Sequence, residues 1–249
     1  MKSNICAIQS RMGSERLPKK SLLKLGNERI IERCYKSANY KNIFDKVIIA
    51  TSVEESDDEL CNFLESRKIP FFRGELNNVL SRFINIAKKY EAKNIVRLTG
   101  DNPLIDPTII KNVFDLHVSQ NFDYTSNIIE RNFPRGNDVE CITSNTLVEL
   151  ENFNLNNDDK EHVTLYIRRN LDNYRVGIYK GNYKLSYPQA RLTVDYIEDY
   201  DLVNEIYTKL NLSNNANDVL KIDKFLSRNQ DLLKINKHIE QKKVQESEW

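Results

Sequence analysis

Apolar residues fall along the chain in two rhythms. Short runs at 5–8, 47–50, 70–72 and 95–98, most of them rich in β-branched side chains, read as buried strands. Between them, residues 30–38, 57–67 and 79–90 carry apolar side chains at helical spacing. Strands separated by helices of that length predict βαβ crossovers and a largely parallel sheet. Farther along the rhythm loosens. Residues 123–127 and 138–142 read as extended, 145–152 and 160–171 as helical, 175–179 and 191–194 as further strands. A helix at 197–210 precedes an Asn-rich break at 211–217 and two increasingly charged helical stretches at 218–227 and 232–243. Neither an internal repeat nor a second composition block divides the chain. The expectation is one domain over 1–249, its core in about 1–210 and residues 211–249 forming peripheral C-terminal helices.

Charge and composition narrow the function classes. Lysine and arginine total 37 against 36 acidic residues, a balance that argues against a protein that coats nucleic acid. The four cysteines are scattered, with no Cys-x-x-Cys spacing and no His partners at metal-ligand distance, so neither structural zinc nor a disulfide framework is expected. The first residues lack the apolar core of a signal peptide, and no apolar run is long enough to span a bilayer. The expectation is a reduced, cytoplasmic protein without a membrane partner.

The candidate chemistry follows predicted strands. After the first run comes Gln9-Ser10-Arg11-Met12-Gly13-Ser14-Glu15-Arg16-Leu17-Pro18-Lys19-Lys20, a loop with four cations and a glycine. It suits a polyanion such as a nucleoside triphosphate, although a basic loop after a strand is also an ordinary solvated turn. It is neither a P-loop nor a Gly-x-Gly-x-x-Gly fingerprint, so phosphate binding would rest on side-chain cations. The run at 95–98 ends in Thr99-Gly100-Asp101-Asn102-Pro103-Leu104-Ile105-Asp106-Pro107. Asp101 is placed to hold Mg²⁺, a hard cation that takes carboxylate oxygens, while Asp106, directly before a proline and an apolar helix, reads as a cap. Arg191-Leu192-Thr193-Val194-Asp195 repeats the theme, with Glu198 and Asp199 serving the positive end of the next helix. In a parallel sheet these strand ends share one rim, where ligands bind.

The loop at 9–20 resembles the signature of the CMP-sugar synthetases, nucleotidyltransferases in which Ala-Arg-Met-Gly-Ser-x-Arg-Leu-Pro-Gly-Lys follows the first strand. It is most similar to the spore-coat polysaccharide cytidylyltransferase-like branch related to the CMP-KDO synthetases. Ser10 stands where that family usually has Ala, and Lys19 where it usually has Gly. Thr99-Gly100-Asp101 and Leu192-Thr193-Val194-Asp195 resemble its two metal-aspartate motifs. Further matches are Ile49-Ala50-Thr51-Ser52, Asn78-Val79-Leu80-Ser81-Arg82-Phe83, Arg135-Gly136-Asn137-Asp138-Val139-Glu140 and Glu161-His162-Val163-Thr164. They keep family order across roughly residues 5–207. Asn78 stands where relatives more often carry Asp.

The resemblance implies a Rossmann-like α/β nucleotide-diphospho-sugar transferase fold, a mixed, mostly parallel sheet flanked by helices. It implies CMP transfer from CTP to a sugar, an acidic one, with Mg²⁺ on Asp101 and Asp195 and with Arg11, Arg16 and Lys20 on the leaving pyrophosphate. Nucleotide contacts would come from Gln9, Arg11, Met12, Gly13, Ser14, Arg16, Lys20, Thr51, Ser52, Arg82, Thr99 and Gly100. Thr51 and Ser52 are equally helix caps, and Arg82 equally a surface cation. Acceptor contacts would come from Arg135, Asp138, Glu140, Glu161 and His162, against the plainer readings of a hairpin turn at 135–137 and a structural histidine. A homodimer through the irregular middle segment is also implied. Two rival readings stay open: a transferase using another nucleotide or a phosphorylated sugar or polyol, and a catalytically silent nucleotide-binding protein.

Overall fold

The computed structural model describes residues 3–240. The apolar runs become the strands of one sheet: β1 (Ser3–Gln9), β4 (Lys46–Ser52), β5 (Phe71–Gly74) and β6 (Ala92–Thr99), joined by β7 (Tyr124–Ser126), β8 (Glu140–Thr143) and β9 (Val176–Ile178). A hairpin of two short strands, β2 (Lys24–Leu25) and β3 (Glu28–Arg29), stands apart from it. The seven strands run in the order β5-β4-β1-β6-β8-β7-β9. Pairing is parallel from β5 to β6, antiparallel on both sides of β8, and parallel again between β7 and β9.

Two apolar layers cover the sheet because alternate strand residues point to opposite faces. Cys6, Ile8, Val96 and Leu98 pack with side chains of α1 (Ile30–Ala38), α4 (Pro107–Gln120), α8 (Ile197–Lys209) and α9 (Val219–Arg228). On the other face Ile5, Ala7 and Ile95 pack with α3 (Val79–Lys89) and with Leu147 of α5 (Ser144–Glu149). α2 (Asp58–Ser66) completes the first half, placing Leu60 and Leu64 in the first layer. The chain runs from β1 outward to β4 and β5 and then returns to the other side of β1 as β6. The crevice between the ends of β1 and β6 is therefore the switch point where an α/β sheet takes its ligand.

Three expected elements differ. The single helix over 160–171 is broken into α6 (Asn157–His162) and α7 (Leu165–Arg169). Val163 between them has φ 57° and ψ −56°, and the Thr164 amide donates to the His162 carbonyl at 2.5 Å, a tight γ-turn. The strand over 191–194 is reduced to one bridge between Arg135 and Arg191, because the Val194 amide donates instead to the Asp101 carbonyl at 2.9 Å. That segment crosses the strand ends rather than extending the sheet. Of the helix over 232–243 there is a 3₁₀ turn at Gln230–Lys234 and no helix through 240; residues 241–243 lie outside the described residues.

Residues 211–240 are not peripheral. Leu212, Val219, Ile222 and Leu226 are buried in the first apolar layer. The Asn217 side chain donates to the carbonyls of Pro103 and Ile105, and that of Asn236 to the Arg191 carbonyl and Asp199.

Candidate active site

The loop after β1 is anchored before any ligand is considered. Asp57, just ahead of α2 and 1 % exposed, accepts hydrogen bonds from the Met12 amide (2.7 Å), the Ser52 amide (3.0 Å) and the hydroxyls of Thr51 and Ser52. Burial would raise the Asp57 pKa, but these donors outweigh it and hold the carboxyl below its ordinary range. The Thr51 and Ser52 hydroxyls are thus spent inside the protein, fully buried, and are not open to a base. Sequence reasoning missed Asp57. Its only local signal is an acid at a helix start, which reads as a cap.

Beyond Met12 the loop opens. A Cβ at Gly13 would meet no atom within 4 Å, Ser14 closes a turn onto the Met12 carbonyl at 2.9 Å, and Arg11 is exposed with Glu161 3.8 Å away. Lys19, where relatives usually have glycine, holds φ 59° and ψ 22°, the left-handed conformation that favours glycine.

That bend brings Lys20 back under the rim. Its ammonium lies 2.8 Å from an oxygen of Asp101, 2.8 Å from an oxygen of Asp195 and 2.9 Å from the Val194 carbonyl. Burial would lower the Lys20 pKa; the two carboxylates outweigh it and raise it. Asp195 also meets Arg16 at 2.8 Å and Arg191 at 2.8 Å, and Arg16 lies over the Tyr196 ring. Burial pushes the Asp195 carboxyl up, but Lys20, Arg16 and Arg191 together pull it below its usual value. Arg16, Lys20, Asp101 and Asp195, distant in sequence, therefore form one cluster.

Backbone geometry holds the cluster in place. The Thr99 hydroxyl donates to Asp101 at 2.6 Å, and the Gly100 amide to the Gln9 carbonyl at 2.8 Å. A Cβ at Gly100 would come within 2.9 Å of Ser10 and Ile31, so this close crossing requires glycine. Asp199, fully buried, accepts from the amides of Asp195 and Tyr196 and from Arg191, fulfilling its expected place at the start of α8. Asp106 caps α4 through Thr108 and also accepts the Val219 amide.

The remaining predicted residues lie elsewhere. Arg82 is neither a surface cation nor open to a ligand: it is 1 % exposed, and its guanidinium donates to the carbonyls of Glu75 and Leu76. Asn78 caps α3 through the Ser81 amide. Arg135 exchanges backbone hydrogen bonds with the 190–192 segment, and Asp138 pairs with Arg131. Glu140 is sealed inside the second layer, where Arg97, Tyr124 and Thr164 surround it. His162 sits half-buried at the end of α6, its imidazole pushed below its usual pKa by burial and then by Arg97. A separate cavity of about 460 Å³ at the opposite end of the sheet, against Lys93, Asn94, Asp123, Thr143 and Arg175, contains none of the predicted residues.

The comparisons agree with this architecture. Residues 5–245 match the family described as cytidylyltransferase. The spore coat polysaccharide biosynthesis protein SpsF of Bacillus subtilis (strain 168) is 38 % identical over 207 residues, covering 81 % of this chain and 85 % of that protein. A cytidylyltransferase structure from Leptospira borgpetersenii superposes with a TM-score of 0.88 at 27 % identity, over 97 % of this chain and 100 % of the other. A CMP:2-keto-3-deoxy-manno-octonic acid synthetase complexed with CTP shares the fold at 14 % identity, with a TM-score of 0.63 over 84 % of this chain and 100 % of that one. With its carboxylate pair at the sheet's switch point and a family match over nearly its whole length, the chain belongs to the cytidylyltransferases, a family of nucleotidyltransferase enzymes.

Proposed function

We propose that this enzyme transfers CMP from CTP to a sugar acid, releasing pyrophosphate, in the synthesis of a surface polysaccharide or glycoconjugate. The observation that carries the reading is the convergence of Asp101 and Asp195 on one ammonium group, 2.8 Å from each. The residues fit a hard divalent cation: both donors are carboxylates, and Lys20 marks a position where positive charge is held between them. Asp101 and Asp195 would hold Mg²⁺, leaving its other positions to water and phosphate oxygens. When bound, the ion supplies charge neutralisation at the α-phosphate.

The side chains divide the remaining work. An acceptor oxygen attacks the α-phosphorus, the bond to the bridging oxygen breaks, and the acceptor's proton is lost to solvent. Arg16 and Lys20, beside the carboxylates, are placed to turn onto the pyrophosphate as charge grows on it, and Arg11 reaches in from the loop. The second-layer side of the rim, with Glu161 and His162, would receive the sugar. The name of the 2-keto-3-deoxy-manno-octonic acid synthetase supports an acidic acceptor. The same reading makes the protein a cytoplasmic homodimer; among the described residues no helix is long and apolar enough to cross a membrane.

Calorimetric titration with CTP, UTP, ATP and GTP, each with and without Mg²⁺, tests this. Magnesium-dependent preference for CTP is the expected result. Preference for another triphosphate would move the substrate while keeping the chemistry. Absence of all triphosphate binding would overturn the reading.

A further inference from the structure

Gln9 is the last residue of β1 and lies in register with Ala50 on one side and Thr99 on the other, at the mouth of the switch-point crevice. Its side-chain oxygen accepts a hydrogen bond from Arg97 Nη2 at 3.0 Å. A guanidinium has only donors, so the amide has no choice of orientation there: the oxygen faces Arg97 and the NH₂ faces away. No group among the described residues accepts from that NH₂.

Arg97 is itself held from behind. Its Nη1 pairs with Glu140, which is 3 % exposed and also accepts from the Tyr124 hydroxyl at 2.5 Å and from the Thr164 hydroxyl. Burial would favour the neutral acid, but Arg97 and Arg168 outweigh it, with the two hydroxyl bonds, and keep Glu140 ionised. The carboxylate is thus a permanent acceptor that fixes Arg97 on one side and the strained turn at Val163 on the other. A donor held this way needs no reorganisation when its ligand arrives.

We infer that Gln9 orients the bound nucleotide through its amide, which the Arg97–Glu140 pair locks so that the NH₂ is a fixed donor to a hydrogen-bond acceptor atom of the cytidine nucleotide. Arg97 and Glu140 are positioning residues that act through it. The inference rests on the CTP reading above, because a nucleotide held by the 11–20 loop must cross the end of β1.

Calorimetry with CTP and Mg²⁺ on Q9E, Q9M, R97M and the Q9M/R97M double variant tests it. Q9E keeps the shape and the Arg97 contact but offers the ligand only acceptors; it is expected to weaken CTP at least tenfold without shifting the melting temperature downward. Q9M and R97M should each weaken CTP, and the double variant should be no weaker than Q9M alone. Unchanged affinity in Q9E, or additive losses in the double variant, would overturn the inference. Should R97M not fold, Q9E decides, since Gln9 is half-buried at a strand end.

The Gln9 side-chain NH₂ resonances, assigned by their absence from Q9M, give a readout independent of catalysis. They should shift in R97M without ligand and again in the wild type on CTP saturation. A wild type that binds no CTP removes the nucleotide reading and this ligand with it, while the R97M comparison still reports whether the lock exists. Resonances unmoved by saturating CTP overturn the inference with the nucleotide reading intact.

Discussion

Two carboxylate–cation clusters flank the end of β6, and they are built for opposite ends. At the rim, Lys20, Arg16 and Arg191 crowd Asp195 while Lys20 also bridges to Asp101; the Lys20 and Asp101 side chains are 14 % and 23 % exposed. Inside the second layer, Glu140 is 3 % exposed, and of its partners Tyr124 and Thr164 are fully buried while the Arg97 side chain is 12 % exposed. Surface-connected ion pairs exchange partners readily, whereas a buried carboxylate stripped of its partner is left with an uncompensated charge. Under the proposed function the first cluster trades its cations for a phosphate or a metal, while the second serves as fixed scaffolding.

Breaking the rim cluster at Asp101 should cost chemistry and spare the fold. Asp101→Asn and Asp195→Asn are each expected to lower pyrophosphate release about a thousandfold. Asp101→Asn should leave the melting temperature little changed, while Asp195→Asn also takes a buried carboxylate from Lys20, Arg16 and Arg191 and should lower it. A variant retaining wild-type turnover would remove that carboxylate from the proposed site. Breaking the inner cluster should do the reverse in kind: Glu140→Leu leaves Arg97 unpaired and is expected to cost about 3–5 kcal/mol, read from urea unfolding. A stability loss near zero would mean that water reaches the pair and that the two clusters differ less than their burial implies.

A buried base sharpens the contrast. His117 Nε2 faces the Asn94 side-chain oxygen at 3.2 Å and Nδ1 faces the Thr125 hydroxyl at 3.0 Å, and burial lowers its pKa to about 4. The folded value lies below the unfolded one near 6.5, so on acidification the unfolded chain takes the proton first. Its contribution is complete above about pH 6.5, is lost as pH falls toward 4, and amounts to about 3 kcal/mol. Thermal melts from pH 7 to 4 should show that slope, and His117→Phe should flatten it. The smallest effect is expected at Lys19. Lys19→Gly relieves a left-handed backbone but loosens the unfolded chain and removes an exposed pair with Glu59, so stability should move by less than about 1 kcal/mol.

The first half of the fold was legible because its signals are local. The apolar spacing of 30–38 is the whole of α1, and the β-branched runs at 47–50 and 95–98 sit within β4 and β6. Lys20, Asp101 and Asp195 were legible as candidates because each follows a strand or belongs to a motif, and the parallel sheet brings such ends to one rim. What escaped depends on partners far along the chain. Nothing near Val163 says that Thr164 will be drawn to Glu140, 24 residues earlier, and break a helix of good spacing. Asp57, Thr51 and Ser52 are polar residues beside a rim, the pattern of a binding pocket, yet they bond one another. Asn217 and Asn236 sit in polar stretches that read as solvated, although the first donates to Ser37, Pro103 and Ile105 and the second to Arg191 and Asp199.

Those two asparagines bear on how the enzyme comes into being. During synthesis the strands from β1 to β6 can pair as soon as they leave the ribosome, because they are close in sequence. The carbonyls of Pro103 and Ile105 and the Arg191–Asp199 pair wait for residues 217 and 236. A nascent chain halted near residue 210 would carry Lys20, Asp101 and Asp195 and still lack the struts behind them. The rim is therefore completed only after residue 236 has been made, and a chain cut near residue 210 would lose both struts together with Leu212, Val219, Ile222 and Leu226 of the first layer.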